Sequence, residues 1–166
     1  MRKLFLFIAL ALTFATNAQT VIEKSGIYNS NEVWDADTVK ITGSVTLWGD
    51  LTIEPGTYIE FQGLYNLTAW ANIFASGTPE NRITITAKDT NLTTNTGGIG
   101  VIGLQSIGNT FHFVNCDFIY FNSWAGILSV VSVDDEYIVS NCTFSKANPS
   151  KSITILKSQT SNTFVD

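Results

Sequence analysis

Short strand-like triplets recur along this chain at a nearly constant spacing. Each has an alternating pattern, and their first residues are separated by 24, 28, 26 and 26 positions. These first residues are Ile59, Ile83, Phe111, Tyr137 and Thr163. A period in the twenties is typical of a solenoid, in which each coil buries its apolar face only by stacking on its neighbours. Because the triplets alternate like strands, the sequence predicts an all-β solenoid of about five coils.

The last two coils are the most alike. Superposition of residues 109–140 on 135–166 aligns identical residue types. The aligned pairs include Asn115 with Asn141, Cys116 with Cys142, Phe118 with Phe144, and Val139 with Val165. Two buried parallel ladders are predicted from the repeat. The first contains Ile59, Ile83, Phe111 and Tyr137, and the second contains Phe61, Ile85, Phe113, Val139 and Val165.

Residues 1–18 have the pattern of a secretory signal peptide that is cleaved after Ala18. Arg2 and Lys3 precede the apolar run Leu4 to Ala15, which is too short to span a membrane. The mature chain is therefore expected to be secreted or at the cell surface, without a membrane span. Loss of both cations makes the formal net charge of −5 more negative still. An acidic chain lacks the clustered Lys and Arg that phosphate contacts require, which excludes nucleic acid as a partner.

Composition and patterning divide the mature chain into two parts. Residues 19–37 are polar and rich in turn-forming residues, which indicates an N-terminal cap segment. From residue 38 to 166 short apolar alternations are separated by Gly, Pro and Asn, as in stacked β coils. Within them, the polar residues 88–97 are predicted to form a loop that leaves the coils, where solenoids often carry binding surfaces.

The best-defined motif lies in the middle of the chain. Residues 51–61 read Leu-Thr-Ile-Glu-Pro-Gly-Thr-Tyr-Ile-Glu-Phe, and 71–87 repeat the order strand, Gly-Thr-Pro turn, strand. Gly-Ile pairs at 98–99 and 126–127 open further strands. With these motifs the chain resembles the pectin-lyase-like, right-handed parallel β-helix proteins secreted by Gram-negative bacteria, over residues 38–166. The resemblance implies the handedness, and this fold carries many different activities.

The paired cysteines are predicted to be structural. Phe118 and Phe144 follow two residues later, so Cys116 and Cys142 are expected to face the interior as stacked, inaccessible thiols, next to an Asn amide ladder. A disulfide between them is the alternative, since neighbouring coils bring the two Cα atoms close enough. Parallel side chains that point the same way are a poor start for the required dihedral angle.

The sequence offers no convincing catalytic, cofactor or metal site. His112 alternates with buried aromatic residues and is expected to be a solvated strand residue. The acidic run 134–136 has no carboxylates at the equivalent positions of adjacent coils, so a calcium site there is disfavoured against a solvated turn. Arg82, in the Gly77-to-Arg82 turn, is expected to have a structural role.

The aromatic residues leave two interpretations open. Trp48, Trp70 and Trp124 are expected to fill corners of the coils, because small cores need large side chains. The alternative is that outward rings stack on sugars, as aromatic platforms do on polysaccharides.

Two functions follow from these patterns. The first is a non-catalytic β-helix segment that serves as a scaffold, an adhesion surface or a glycan-contact surface. The second is the N-terminal part of an extracellular polysaccharide lyase or hydrolase whose catalytic coils lie beyond residue 166. The last coil stops before the next Asn-Cys position, which favours a fragment with an open C-terminal edge that can associate end to end.

Overall fold

The computed structural model describes residues 18–91, 99, 102–104, 108–120, 128–130, 136–146 and 163–165. These residues form an all-β structure and contain no helix. None of them belongs to a helix long and apolar enough to cross a membrane. The predicted signal peptide lies outside the described residues, apart from Ala18.

Fifteen strands are present in the described ranges. They are β1 Val21–Tyr28, β2 Glu32–Trp34, β3 Thr38–Leu47, β4 Leu51–Ile53, β5 Tyr58–Phe61, β6 Leu67–Ala69, β7 Ile73–Ser76, β8 Ile83–Ala87, β9 Ile102–Leu104, β10 Thr110–Val114, β11 Cys116–Ile119, β12 Leu128–Val130, β13 Glu136–Ser140, β14 Thr143–Ser145 and β15 Thr163–Val165. β1 and β2 lie in the segment 19–37, so the strand pattern begins at Val21, before residue 38.

The strands pair in parallel and form three rows. Row 1 contains the first half of β1 and of β3, followed by β5, β8, β11 and β14. Row 2 contains the second half of β1 and of β3, followed by β6, β9 and β12. Row 3 is a separate sheet in the order β2, β4, β7, β10, β13, β15. Rows 1 and 2 form one sheet because β1 and β3 are long enough to belong to both.

The chain visits the rows in a fixed order. It runs from row 3 to row 1 to row 2 and then returns to row 3, beside the strand that it left. β4, β5 and β6 make one such repeat, and β7, β8 and β9 make the next. Each strand is therefore hydrogen-bonded to the strand at the same place in the preceding repeat.

Side chains that point inward from the three rows form one apolar core. Along β4 and β5 the buried residues alternate with partly or fully exposed ones, as a pleated strand with one buried face requires. The largest fully buried side chains are Trp34, Phe61, Phe111, Phe113, Phe118, Ile41, Leu47, Leu51, Ile59, Ile73 and Ile83. Burial of each of these contributes on the order of 1.5–3 kcal/mol, so the core is the main source of stability.

The predicted ladders are correct in part. Phe111 pairs with Tyr137 and Phe113 with Val139, as expected. Ile83 does not join them: it lies in row 1 opposite Cys116, whereas Phe111 lies in row 3 opposite Ile73. The second ladder is interrupted in the same way, because Ile85 lies in row 1 and Phe113 in row 3.

The register of the remaining ladder residues also differs from the prediction. Ile59 pairs with Ile85 instead of Ile83. Val139 pairs with Phe164, one residue before the predicted Val165. Apolar and polar residues alternate in the same way along the strands of all three rows, so the sequence pattern alone does not identify the row of a strand. Connections of unequal length also change the spacing between repeats.

Candidate functional site

A seven-residue pattern occurs twice at a spacing of 22 residues, and it marks the most exposed aromatic surface in the described chain. Residues 45–51 read Val-Thr-Leu-Trp-Gly-Asp-Leu, and residues 67–73 read Leu-Thr-Ala-Trp-Ala-Asn-Ile. Both cover the end of a row 2 strand, a three-residue turn and the start of a row 3 strand. We call the two turns, residues 48–50 and 70–72, the Trp corner.

The two tryptophans of the Trp corner stack on each other outside the core. Leu47 pairs with Ala69 across the row, which places Trp48 beside Trp70. Their ring centroids are 4.9 Å apart and their planes differ by 12°. Trp48 is 53% exposed and Trp70 38%. The two rings share their inner faces, and the exposed part of each side chain is the surface that a ligand can reach.

The expectation that Trp48 and Trp70 fill corners of the coils as part of a small core is therefore wrong for both. Each follows an inward-facing residue, Leu47 or Ala69, and alternation turns the next side chain outward. Among the described tryptophans, the one that fills the core is Trp34, which is 0% exposed. Trp124 lies outside the described residues.

A column of polar side chains runs alongside the stacked rings. The backbone N–H of Asp50 donates to Oδ1 of Asn31 at 3.0 Å. Asp50 in turn accepts on its own Oδ1 from the backbone N–H and the side-chain amide of Asn72, at 3.0 and 2.9 Å. The backbone N–H of Thr110 donates to Oδ1 of Asn72 at 2.7 Å. Both hydrogen bonds from Asn72 go to Oδ1 of Asp50, so Oδ2 of Asp50 can still accept a hydrogen bond from a ligand.

Gly49 allows the first turn of the Trp corner to pack against the preceding loop. A Cβ atom at this position would lie 2.3 Å from the carbonyl carbon of Ser30 and 2.5 Å from the backbone nitrogen of Asn31. Such distances are far below van der Waals contact, so only glycine fits. The equivalent residue of the next repeat, Ala71, carries a Cβ. The loop containing Ser30 and Asn31 is thereby held close to Trp48.

The turn between rows 3 and 1 differs from the Trp corner. At its later repeats the chain turns at Asn115 and at residues 141–142. We call residues 115–117 and 141–143, together with Arg82, the Asn corner. Asn115 and Asn141 both have φ of 51°, a left-handed conformation that Asn tolerates better than most residues. The side-chain amide of Asn141 donates to Oδ1 of Asn115, and that of Asn115 donates to the Gly77 carbonyl at 2.9 Å. The predicted amide ladder is confirmed.

Arg82 connects three repeats through hydrogen bonds. Its Nε lies 2.9 Å from Oδ2 of Asp117, and its Nη2 lies 2.7 Å from Oδ1. Nη2 also donates to the carbonyls of Cys116 and Asn141, at 3.2 and 2.9 Å. The hydrogen bonds from Arg82 hold the pKa of Asp117 below its ordinary value, and a further bond from Thr143 adds to this. The structural role predicted for Arg82 is confirmed.

The two cysteines occupy equivalent positions and are both free thiols. Cys116 is fully buried, as predicted. Cys142 is only partly buried, so the prediction that both are inaccessible is wrong for this residue. The aromatic rings that follow them, Phe118 and Phe144, stack at 4.8 Å with planes 2° apart.

The remaining candidates from the sequence are His112, the acidic run 134–136 and the loop at 88–97. His112 points outward from row 3, opposite to the buried Phe111 and Phe113, and its ring makes an edge contact with Phe74 at 5.9 Å. This confirms its predicted orientation. The acidic positions 134 and 135 lie outside the described residues. In the loop predicted at 88–97, only residues 88–91 are described, and they are exposed.

A polar cleft of about 230 Å³ lies at the first repeats, between the turns that join rows 3 and 1. Its lining includes Asp35, Asp37, Thr57 and Asn81. The Asp37 carboxylate accepts hydrogen bonds from the backbone N–H and the hydroxyl of Thr20, at 2.7 and 2.9 Å. These bonds lower the pKa of Asp37 and attach the N-terminal residues to the repeats. Within the described ranges, no group of three or more His, Cys, Asp or Glu is arranged to hold a metal ion.

Comparison with known proteins adds no identification. No protein-family model matches the chain, and neither a curated protein nor a solved structure matches it. Functional inference therefore depends on the geometry of the Trp corner and the Asn corner.

Proposed function

We propose that this protein is a non-catalytic carbohydrate-contact module, secreted or displayed at the cell surface, which binds neutral polysaccharide at the Trp corner. The observation that carries the proposal is the stacked, exposed pair Trp48 and Trp70 beside the polar column of Asn31, Asp50 and Asn72. The pattern of residues 1–18, read as a signal peptide, supports the location.

The chemistry of a sugar fits this surface. The C–H-rich face of a pyranose ring is apolar and packs on an indole face, while its hydroxyls need hydrogen-bond partners at the rim. Trp48 is the more exposed of the two rings and offers the larger free face. Trp70 stacks against the opposite face of the Trp48 ring. Asp50 Oδ2, two residues along the chain, is placed to accept hydroxyl hydrogens.

Charge favours a neutral ligand over an acidic one. The chain has fourteen acidic against nine basic residues, and Asp50 lies within the Trp corner itself. Uronate or sulfate groups would meet like charge here, which weakens association. The binding energy is thus expected to come from ring packing and hydroxyl hydrogen bonds.

We further propose that the three rows wind as a right-handed parallel β-helix. The proposal is supported by the fixed order of rows in the described repeats and by parallel pairing of their strands with the counterparts one repeat away. Parallel strands joined by right-handed crossovers are strongly favoured sterically. In such a helix each corner forms a line along the axis, which suits an extended polymer better than a small molecule.

Affinity electrophoresis through gels that contain a soluble polysaccharide tests the function. We expect hydroxyethyl cellulose, galactomannan or arabinoxylan to retard the folded chain, and polygalacturonate to retard it least. Trp48→Ala should abolish the retardation, while His112→Ala, an outward ring on row 3, should not change it. Equal mobility of the wild-type chain with and without every neutral polysaccharide would refute the proposal.

A further inference from the structure

The first repeat carries charged side chains at positions that are apolar in the repeats that follow. Lys24 in β1 pairs with Ile41, and Glu32 in β2 pairs with Leu51. Ile41 and Leu51 are both 0% exposed and belong to the core. Side chains at paired positions of in-register parallel strands point to the same side of the sheet. Lys24 and Glu32 therefore point inward, at the end of the apolar core.

The two charges form a partly buried ion pair. Lys24 Nζ lies 2.5 Å from Glu32 Oε2, and each side chain is 17% exposed. Lys24 Nζ also lies 5.0 Å from the centre of the Tyr28 ring, which is paired with the buried Leu47 and packs against the core. We call Lys24, Tyr28 and Glu32 the polar lid. It places a cation, an anion and a phenol next to the first apolar layer.

The same repeat has features that favour association with another chain. β1 pairs with β3 and β2 with β4, and no other described strand pairs with either of them. An open strand edge offers unpaired backbone N–H and C=O groups to another chain. The register shift between Lys24 and Gly26 interrupts this edge but leaves the first half of β1 regular. The side chains of Val21, Ile27 and Val33 are also exposed, at 51%, 68% and 55%.

We propose that the polar lid keeps a second copy of this chain from stacking on the first repeat, end against end. Such a copy would remove Lys24 and Glu32 from water, and the cost of desolvating an ion pair can exceed the attraction within it. Apolar side chains at these two positions would have the opposite effect, because stacking would then bury apolar surface. Ion pairs that keep contact with water contribute little to stability. The lid therefore acts on association and not on folding.

The double variant Lys24→Met, Glu32→Leu tests the proposal, because it replaces the ion pair with apolar side chains of similar size. We expect it to fold and to form a dimer, since contact between identical ends of two copies closes on itself. Sedimentation velocity should show the mass of the particle doubling as the concentration rises. Hydrogen exchange read by mass spectrometry locates the contact: the β1 amides that point away from β3 should exchange more slowly in the dimer. Association through other parts of the chain leaves these amides unprotected.

The double variant Lys40→Met, Glu60→Leu is the matched control. Lys40 pairs with Glu60 in row 1, and both alternate with buried residues and so point outward. The control thus removes the same two residue types and the same charges without opening the first repeat. Exchange of the β1 amides should not depend on concentration in this control or in the wild-type chain.

Reversal of the pair separates charge from side-chain identity. Lys24→Glu with Glu32→Lys keeps an ion pair at the same place, so its β1 exchange should also be independent of concentration. Concentration-dependent protection of β1 in the wild-type chain or in the reversed pair would overturn the proposal. So would a folded apolar variant whose β1 amides stay unprotected at every concentration. An apolar variant that circular dichroism shows to be unfolded would mean that the ion pair serves folding, contrary to the proposal.

Discussion

The Trp corner and the Asn corner are both turns between rows of the same stacked repeats, yet they use their side chains in opposite ways. In the Asn corner, the amides of Asn115 and Asn141 and the guanidinium of Arg82 have partners in adjacent repeats. In the Trp corner, two large rings contact each other and remain exposed over much of their surface. The first arrangement stabilises the repeats, and the second leaves surface for a ligand.

This difference indicates that ligand binding should be tested at the Trp corner and stability at the Asn corner. Stacked repeats satisfy most polar groups internally, because an unpaired buried donor or acceptor costs about 1–3 kcal/mol. An exposed tryptophan gains no comparable stabilisation. The surface of a monomeric protein rarely exposes a cluster of large apolar side chains unless the cluster binds a partner or ligand. Substitutions at the two corners should therefore affect different measurements.

Among substitutions in the two corners, the largest effect on stability is expected from Asn115→Ala. The substitution removes the hydrogen bonds to Gly77 and from Asn141, and it places a residue less tolerant of left-handed backbone at φ 51°. We expect a loss of about 3 kcal/mol in the free energy of unfolding, measured by urea denaturation. Asn115→Gly is the matched control and should lose roughly 1 kcal/mol less. Equal losses in both variants would show that the left-handed backbone contributes nothing.

Arg82→Gln should have the next largest effect. It removes charge-assisted bonds to Asp117 and to two carbonyls, for a loss of about 2 kcal/mol. The wild-type contribution depends on pH, because Arg82 lowers the pKa of Asp117 below its ordinary 3.8. It is complete above that value and is lost as the pH falls through the lower, folded pKa.

The Arg82→Gln variant should lack this part of the acid dependence. Urea denaturation from pH 2 to pH 7 measures it, since the difference in stability between wild type and variant should shrink at the acid end. A difference that stays constant over the whole range would mean that the Arg82–Asp117 pair does not set the acid response.

Gly49→Ala tests whether the packing of the first turn of the Trp corner affects both stability and binding. The added methyl group overlaps the backbone of Ser30 and forces the loop away, at an expected cost of about 1–2 kcal/mol. Because this loop lies next to Trp48, polysaccharide binding should weaken as well. Ala71→Gly, at the same position of the next repeat, is the control and should leave binding unchanged. Loss of binding in Ala71→Gly but not in Gly49→Ala would mean that the second turn, and not the first, determines binding.

The smallest effect on stability is expected from Trp48→Ala. The ring is half exposed and contributes through its stack on Trp70, so the loss should be at most about 1 kcal/mol. Thermal unfolding measures it, with Trp34→Ala as a contrast, since Trp34 is completely buried and should cost about 3–5 kcal/mol. Similar losses for Trp48 and Trp34 would mean that Trp48 belongs to the structural framework.

The sequence predicted the class of fold, the stacking of Cys116 on Cys142 and the amide ladder, because these features depend on local alternation and equal spacing. It assigned Ile83 to the wrong ladder, since alternation is the same in all three rows and the connections differ in length. It preferred corner filling for Trp48 and Trp70, with outward rings as the alternative, and it did not predict that the two turns of the Trp corner stack. The signal of this stacking is the pattern Trp-x-Asp-Leu and Trp-x-Asn-Ile, whose spacing of 22 differs from the longer period of the other triplets.

Binding and unfolding measured together on two variants test the central claim most directly. We would titrate hydroxyethyl cellulose, galactomannan and arabinoxylan by calorimetry into Asn115→Gly and into the double variant Trp48→Ala, Trp70→Ala, and record thermal unfolding of the same samples. The double variant should lose at least about tenfold in affinity, equivalent to about 1.4 kcal/mol, while unfolding close to the wild-type temperature. Asn115→Gly should unfold at a lower temperature and bind like wild type. Wild-type affinity in the double variant, or affinity that falls in step with stability in both, would contradict the division of roles between the two corners.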